Sequence, residues 1–302
     1  MDAPVEFVKE LLPSIVNIHT IVPRAHPSSR TLGEERMGSG VVIDASAGLL
    51  LTVNYVVMGA GTIEVAPLKG RRTKAEVVAQ DFEVGIALIR TKRLGLPSVQ
   101  IGAPKAPERG DPVIAIASTG VQEVRVGGGL VTYLGEFEAY WEYLLDRGIV
   151  SSAPNPGFGG GGLFTLGGRL VGVLHLNLNE IARNSLAIPV DCYRENAEEL
   201  LRYGRVVSRP KRAWLGVFAH ALEDGVIIAG IVPGGPGDKG GLREGDMIVS
   251  LNAEEVASRR ELYMSLWRHA PGEKLTFEVM RDNAVRRLEI TGGDRADFFK
   301  QV

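Results

Sequence analysis

Short runs of apolar and β-branched residues recur along the first two thirds of the chain. Each run holds four to eight residues, and turn residues separate it from the next run. Many short runs at nearly regular spacing predict an all-β barrel or sandwich. The predicted strands are 15–20, 40–44, 49–53, 62–68, 75–80, 86–91, 112–118, 129–135, 163–166 and 169–176.

Three other segments interrupt this pattern. Residues 5–12 place apolar side chains at helical spacing, which predicts a short amphipathic helix. Residues 192–203 predict a second helix, with Asp191 placed to cap it and Gly204 placed to end it. Residues 21–37 are polar and have no periodicity, so we expect a mobile loop there.

A basic, proline-containing stretch at 205–212 has no periodicity and predicts a linker between two domains. The first domain then spans 1–204 and the second spans 213–302. The second domain has its own order of elements: two strands, a glycine- and proline-rich stretch, a strand, a helix capped by Ser258, and two strands. A total length of 302 residues agrees with two domains.

Composition and charge narrow the range of functions. The chain carries 34 lysine and arginine residues against 36 aspartate and glutamate residues, which excludes the broad basic surface of a nucleic-acid-binding protein. The single cysteine, Cys192, excludes an internal disulfide framework and a zinc site built from cysteines. No two histidines have the spacing of metal ligands, so we expect neither a metal nor another cofactor.

The cellular compartment stays open at this stage. No apolar run reaches the ~18–20 residues of a membrane-spanning helix. The first residues, Met1-Asp2-Ala3-Pro4, lack the basic and apolar regions of a signal peptide. The expectation from the chain as given is therefore a cytoplasmic protein or a chain that was trimmed.

The C-terminal domain carries three consecutive motifs, WLGV at 214–217, GVIIAGIVPGGPGDKGGLREGDMIVSLN at 225–252 and LYMSLWRHAPGEKLTFEVMRD at 262–282. In this order they resemble a PDZ domain of the HtrA/Deg type. The resemblance implies that a C-terminal or unfolded segment of another protein adds as a strand to the edge of a sheet. Backbone N–H groups of a nearby loop would hold the terminal carboxylate of that segment.

The same resemblance assigns individual residues to the peptide site. The carboxylate loop corresponds to Trp214, Leu215 and Gly216, and Val217 begins the strand that receives the peptide. Leu215, Val217 and Met264 are expected to line the pocket for an apolar last residue of the peptide. The alternative is that Gly216 only permits a tight turn and that Leu215 belongs to the core.

The first domain also carries a series of motifs, PSIVNI (13–18), GSGVVID (38–44), LLTVNYVV (50–57), DFEVGIALIR (81–90), NPGFGGGGLF (155–164), GRLVGV (168–173) and SLAIPVD (185–191). In this order they resemble the trypsin-like domain of the HtrA/Deg serine proteases. The resemblance implies a mainly β fold, with two six-stranded antiparallel barrels and a catalytic cleft between them. It also implies a homotrimer and an extracytoplasmic location.

The three catalytic positions of that family hold other residue types in this chain. Tyr55 stands at the position of the histidine, Gly85 at that of the aspartate and Gly159 at that of the serine. The remnant of the loop that supplies the oxyanion donors is Gly157, Phe158 and Gly159. Its run of glycines costs conformational entropy to order, so we expect the loop to be poorly fixed.

Peptide hydrolysis by a serine protease needs a nucleophile, a base and an acid that orients the base. Glycine offers no nucleophile, and tyrosine, with a reference pKa of ~10, is a poor base at neutral pH. The serines nearest these positions, Ser39, Ser151 and Ser152, are interpreted as structural. The sequence thus favours an HtrA-like protein without catalytic activity, whose PDZ domain serves as a peptide-binding or assembly module.

Two alternatives remain open. The chain could be an active serine endopeptidase of protein quality control with an unconventional site. It could also be a structural subunit that joins active relatives in a mixed oligomer. The state of the peptide groove, open or filled, separates a binding module from a structural subunit.

Overall fold

The structure, a computed structural model, describes residues 3–92, 95–102, 105–178, 183–223 and 225–300. The chain divides into two compact units. The first unit comprises Met1–Pro23, Leu32–Phe137 and Leu145–Val207, and the second comprises Arg24–Thr31, Glu138–Leu144 and Ser208–Val302. Two short segments from the N-terminal part of the sequence therefore pack with the C-terminal unit.

Six antiparallel strands at the start of the first unit close into a barrel, in the order β1-β2-β3-β6-β5-β4. The strands are β1 (Ile15–Ile21), β2 (Glu35–Asp44), β3 (Leu49–Val53), β4 (Thr62–Pro67), β5 (Thr73–Asp81) and β6 (Ile86–Thr91). The helices of this part of the chain are α1 (Ala3–Leu11), α2 (Ser29–Leu32) and α3 (Asn54–Val57), and a 3-10 turn follows α1 at Leu12–Ser14. Every residue of β3 is buried. Because α3 follows β3 directly, this buried strand fixes where α3 begins.

A second sheet follows, with seven strands in the order β11-β8-β9-β10-β13-β12-β7. The strands are β7 (Gln100–Ile101), β8 (Pro112–Gly120), β9 (Glu123–Ala139), β10 (Tyr143–Ser151), β11 (Gly162–Thr165), β12 (Arg169–Asn177) and β13 (Ser185–Pro189). An additional pairing of β11 with β12 closes six of these strands into a ring, and β7 adds to β12 as a short parallel strand. The predicted pair of six-stranded barrels is confirmed.

The second unit is built on a sheet in the order β14-β15-β16-β18-β19, with β17 paired to β16. The strands are β14 (Val217–Leu222), β15 (Gly225–Ile231), β16 (Met247–Leu251), β17 (Glu254–Glu255), β18 (Lys274–Arg281) and β19 (Ala284–Thr291). Because β14 is the first strand of the order, one of its edges pairs with no other strand of this sheet. The predicted helix is α7 (Arg259–Leu266), and Ser258 caps it by accepting a hydrogen bond from the Glu261 N–H.

The remaining helices are short: α4 (Asp191–Arg194), α5 (Ala197–Tyr203), α6 (Pro236–Lys239) and α8 (Arg295–Phe299). The single helix predicted over 192–203 is thus divided into α4 and α5, although Gly204 ends α5 in the left-handed region as expected. Within the described residues, no helix combines the length and the apolar character that crossing a membrane requires.

The prediction of a structureless loop over 21–37 is wrong. Arg24–Thr31 packs within the second unit, and α2 begins inside this segment. His26 is buried, and its Nε2 lies 2.9 Å from the backbone carbonyl oxygen of Phe299. The pairing partner lies 273 positions along the chain, so local periodicity carries no sign of it.

Candidate functional site

The three positions that the sequence assigns to the catalytic residues lie together in the first unit. Tyr55 lies on α3, directly after β3, and Gly85 lies in the turn before β6. The Asn54 N–H donates to the Gly85 carbonyl at 2.8 Å, which fixes the start of α3 against that turn. Gly159 lies in the loop that leads into β11.

His175, on β12, connects these three positions. The Tyr55 hydroxyl donates to the His175 carbonyl at 3.0 Å, and the two rings lie 5.6 Å apart. A Cβ added to Gly85 would lie 3.1 Å from the His175 Nε2, whereas a Cβ added to Gly159 would overlap the Tyr55 hydroxyl oxygen. The space beside Gly159 is therefore filled by the phenol.

Both rings of this cluster are neutral near pH 7, and burial moves both pKa values further from that pH. Burial raises the pKa of Tyr55 to about 12, because the phenolate would lose its hydration. Burial also lowers the pKa of His175 to about 4, because the imidazolium would lose its hydration. At neutral pH Tyr55 thus acts as a hydrogen-bond donor to a carbonyl, and its proton stays on the phenol.

Backbone hydrogen bonds hold the glycine-rich loop before β11. The Gly157 N–H donates to Asn155 Oδ1 at 3.2 Å. The Phe158 N–H donates to the Ser118 carbonyl at 2.8 Å, and the Gly160 N–H donates to the Leu174 carbonyl at 2.7 Å. The Gly159 carbonyl accepts from the Ser39 N–H at 2.7 Å. The expectation of a poorly fixed loop is therefore wrong, since hydrogen bonds to neighbouring strands offset the entropy of the glycines.

Close packing explains why this loop is built from glycine. Gly160 has a φ of +95°, in the left-handed region, and a Cβ there would overlap the Ser39 carbonyl and the Thr52 hydroxyl. A Cβ on Gly157 would likewise overlap the Ser118 carbonyl. At these two positions the backbone carbonyls of the neighbouring strands, together with the Thr52 hydroxyl, leave room only for a hydrogen atom.

Two of the serines that the sequence singled out make structural contacts. The Ser39 hydroxyl is buried, donates to the Phe158 carbonyl at 2.9 Å and accepts from the Ser118 N–H at 2.9 Å. The Ser151 hydroxyl is buried 3.3 Å from the hydroxyl of Ser185. These contacts agree with the structural interpretation of both side chains.

In the second unit, the loop predicted to hold a carboxylate does hold one, from the chain itself. The Leu215 N–H donates to Glu142 Oε2 at 3.0 Å. The Gly216 and Val217 N–H groups donate to Glu142 Oε1 at 2.6 Å and 2.8 Å. Gly216 has a φ of +79°, which turns these successive N–H groups toward one point.

The edge of β14 carries a backbone pairing from the same segment. The Ala219 N–H donates to the Tyr140 carbonyl at 2.6 Å. Ala219 comes two residues after Val217, and Tyr140 comes two residues before Glu142, so the segment runs antiparallel to β14. One backbone hydrogen bond therefore joins β14 to residues 140–142, which form the turn between β9 and β10.

The side chains of the residues assigned to the peptide site lie partly in the core and partly at the surface. Leu215 and Val217 belong to the hydrophobic core of the second unit, and their side chains are buried. Trp214 packs against Phe298, with ring centroids 4.9 Å apart. Met264 is 44% exposed on α7.

Sequence reasoning missed Glu142, which lies 73 positions before Leu215. The sequence around Glu142 did carry a signal. Glu142 is the only charged residue in the run 139–145, where all the others are apolar or aromatic. A carboxylate in such a run is expected to be buried and therefore needs donors. Burial raises the pKa of the Glu142 carboxyl, whereas the three N–H donors and the charge of Arg295 oppose that shift.

We expect the Gly159→Ala substitution to lower the free energy of unfolding by about 1–3 kcal/mol, because the added methyl group must displace the Tyr55 hydroxyl. In a Tyr55→Leu background the same substitution should cost markedly less. Urea unfolding of the two single variants and the double variant measures this coupling. Gly128→Ala is the matched control, since a Cβ there meets nothing within 4 Å. An equal cost of Gly159→Ala in both backgrounds would contradict the overlap.

Comparison with known proteins agrees with the two units. Residues 38–173 match the family described as Trypsin-like peptidase domain, and residues 213–291 match the PDZ domain family. A probable periplasmic serine endoprotease DegP-like from Ectopseudomonas mendocina is 31% identical over 293 residues, which cover 90% of this chain and 59% of that protein. The chain thus spans less than two thirds of the length of this relative.

Solved structures of HtrA-type proteases are similar to this chain over almost its whole length. The HtrA-type protease AlgW with a tripeptide has a TM-score of 0.59 and 27% identity, over 97% of each chain. AlgW with a decapeptide has a TM-score of 0.57 and 26% identity, over 97% of this chain and 98% of that one. The chain is therefore a serine protease homologue of the HtrA family, in which a trypsin-like peptidase domain is followed by one PDZ domain.

Proposed function

We propose that this chain binds peptides through its PDZ domain and does not cleave them. One observation carries the proposal: the Tyr55 hydroxyl fills the space into which a side chain at position 159 would project. The family resemblance assigns the nucleophile to that position. A glycine there supplies no nucleophile, and the phenol leaves no room for a hydroxymethyl group.

The chemistry of the neighbouring groups supports the same proposal. A general base must accept a proton from the nucleophile, but Tyr55 is protonated at neutral pH and donates to the His175 carbonyl. The imidazole of His175 has a pKa lowered by burial to about 4, which makes it a weak base. Gly85 offers no carboxylate to orient a base.

Stabilisation of an oxyanion also requires donors that point at the substrate. Of the remnant that the family resemblance assigns to these donors, the N–H groups of Gly157 and Phe158 donate to acceptors inside the protein. Donors that are already paired contribute little to a transition state, because a hydrogen bond must break before a new one forms. These pairings favour a binding role over an unconventional hydrolytic site.

Peptide binding is proposed from the second unit, where the side chain of Glu142 fills the groove. A filled groove by itself favours the structural subunit, but the group that fills it is a carboxylate, which is the group that the end of a peptide would present. The edge of β14 also donates one backbone hydrogen bond to the antiparallel segment that carries Glu142. The AlgW structures are described with a tripeptide and with a decapeptide. We also propose a homotrimer, on the basis of the family resemblance alone. For a homotrimer, light scattering would give three times the chain mass of 32.5 kDa.

We expect no proteolysis by the purified chain. The assay is incubation with unfolded casein and with a serine-directed fluorophosphonate probe, followed by gel and mass analysis. The DegP-like relative from Ectopseudomonas mendocina, treated in parallel, shows that the assay detects cleavage. Cleavage that copurifies with this chain, or covalent labelling of any of its serines, would favour the active endopeptidase instead.

We expect the full chain to bind peptides that end in an apolar residue with a free carboxylate, at micromolar affinity or weaker, about −8 kcal/mol at most. Amidated forms of the same peptides should bind at least tenfold more weakly, because the loop donors require an anionic acceptor. Fluorescence anisotropy with labelled acid and amide pairs measures this difference. Equal binding of acid and amide would contradict a carboxylate site.

A further inference from the structure

We propose that Glu138–Leu144 is a tethered ligand of the PDZ groove, in which the side chain of Glu142 takes the place of the terminal carboxylate of a peptide. An incoming peptide must displace this segment before it binds. The proposal rests on the proposed peptide-binding function and adds an autoinhibitory contact to it. Both the segment and the groove belong to the second unit.

The N–H donors of the loop at 215–217 are already used by Glu142. A terminal carboxylate and a glutamate side chain present the same pair of oxygen atoms. In this structure the Leu215, Gly216 and Val217 N–H groups all donate to those two atoms of Glu142, at 2.6–3.0 Å. A peptide carboxylate would need the same three donors, so the two carboxylates exclude each other.

The segment also matches the register of a peptide bound along β14. The Val217 and Ala219 N–H groups lie two positions apart on β14, and their acceptors lie two positions apart on residues 142 and 140. A peptide strand added antiparallel to β14 would place its last residue at the loop and the carbonyl two positions earlier at Ala219. The segment thus occupies both anchor points that such a peptide uses.

Side chains of α7 and the residue that begins α8 hold the segment in place. The Tyr263 hydroxyl donates to the Ala139 carbonyl at 2.7 Å and accepts from the Glu142 N–H at 3.0 Å. Arg295 donates to the Glu142 carbonyl at 3.3 Å. Arg259 forms an ion pair with Glu138 at 2.8 Å, and both side chains are partly shielded from water. Hydrogen bonds and an ion pair therefore hold the segment at several positions between Glu138 and Glu142.

Two costs oppose these bonds, which makes release of the segment feasible. Glu142 has a φ of +54°, a left-handed conformation that glutamate adopts only when its surroundings impose it. Its carboxylate is also buried, with 3% of the residue exposed, and loses its hydration in this position. A peptide with a terminal carboxylate makes the same bonds without the left-handed turn.

The fraction of chains whose groove is free sets the apparent affinity for an external peptide. When a tethered segment fills the groove, the apparent affinity for an external peptide falls in proportion to the fraction of chains whose groove is free. A tether places the segment at a high effective concentration, so even a weak internal contact competes with a dilute peptide. Weakening the segment should therefore tighten peptide binding without any change in the groove.

The test is titration of the full chain with a labelled peptide that has an apolar last residue and a free carboxylate. We expect Glu142→Gln to raise the affinity at least tenfold, because the neutral amide competes poorly for three N–H donors. Asp146→Asn removes the same charge from an exposed position four residues later, and it should leave the affinity unchanged. Circular dichroism shows whether each variant is folded.

A second variant tests the proposal if Glu142→Gln does not fold. Glu138→Gln removes the ion pair with Arg259 but keeps every hydrogen bond of the carboxylate loop. We expect it to raise the affinity about threefold. Wild-type affinity in both folded variants would overturn the tethered ligand and leave peptide binding intact. The absence of binding by the wild type and both variants would instead overturn the proposed function of the groove.

Discussion

A backbone N–H group that is buried away from water needs an acceptor, and leaving one unpaired costs about 1–3 kcal/mol. Two loops of this chain carry several N–H groups that are paired inside the protein. In the first unit, Phe158 and Gly160 donate to carbonyls of the neighbouring strands. In the second unit, the loop at 215–217 donates to Glu142. The same constraint therefore decides what each loop offers to an external molecule.

The two loops differ in the kind of acceptor that pairs their N–H groups. In the first, the acceptors are backbone atoms of the barrel, and overlap with the Ser118 and Ser39 carbonyls restricts positions 157 and 160 to glycine. Releasing those donors would require the strands to move. In the second, the acceptor is one side chain, on a segment that bears a left-handed turn. That segment can leave while the sheet of the second unit stays paired, so the second loop is the one suited to exchange its partner for a ligand.

The fold and the grouping of Tyr55, Gly85 and Gly159 followed from the sequence, because strand periodicity is local and the motifs occur in the order of a known family. The contacts of Glu142 and His26 did not. Their partners lie 73 and 273 positions away, and each contact joins a side chain to backbone atoms, which any residue type provides. The ordering of the glycine loop was also missed, since glycine composition reports the entropy of a loop but not the acceptors that fold around it.

Hydrogen exchange of individual amides, measured by NMR on the chain without any peptide, tests the pairing of both loops most directly. We expect slow exchange at Phe158, Gly160, Gly216 and Val217, with protection close to that of the barrel strands for the first pair and somewhat lower for the second. Exchange at the rate of an unstructured peptide at Gly216 and Val217 would contradict the occupation of the carboxylate loop by Glu142. Such exchange at Phe158 and Gly160 would contradict the fixed glycine loop.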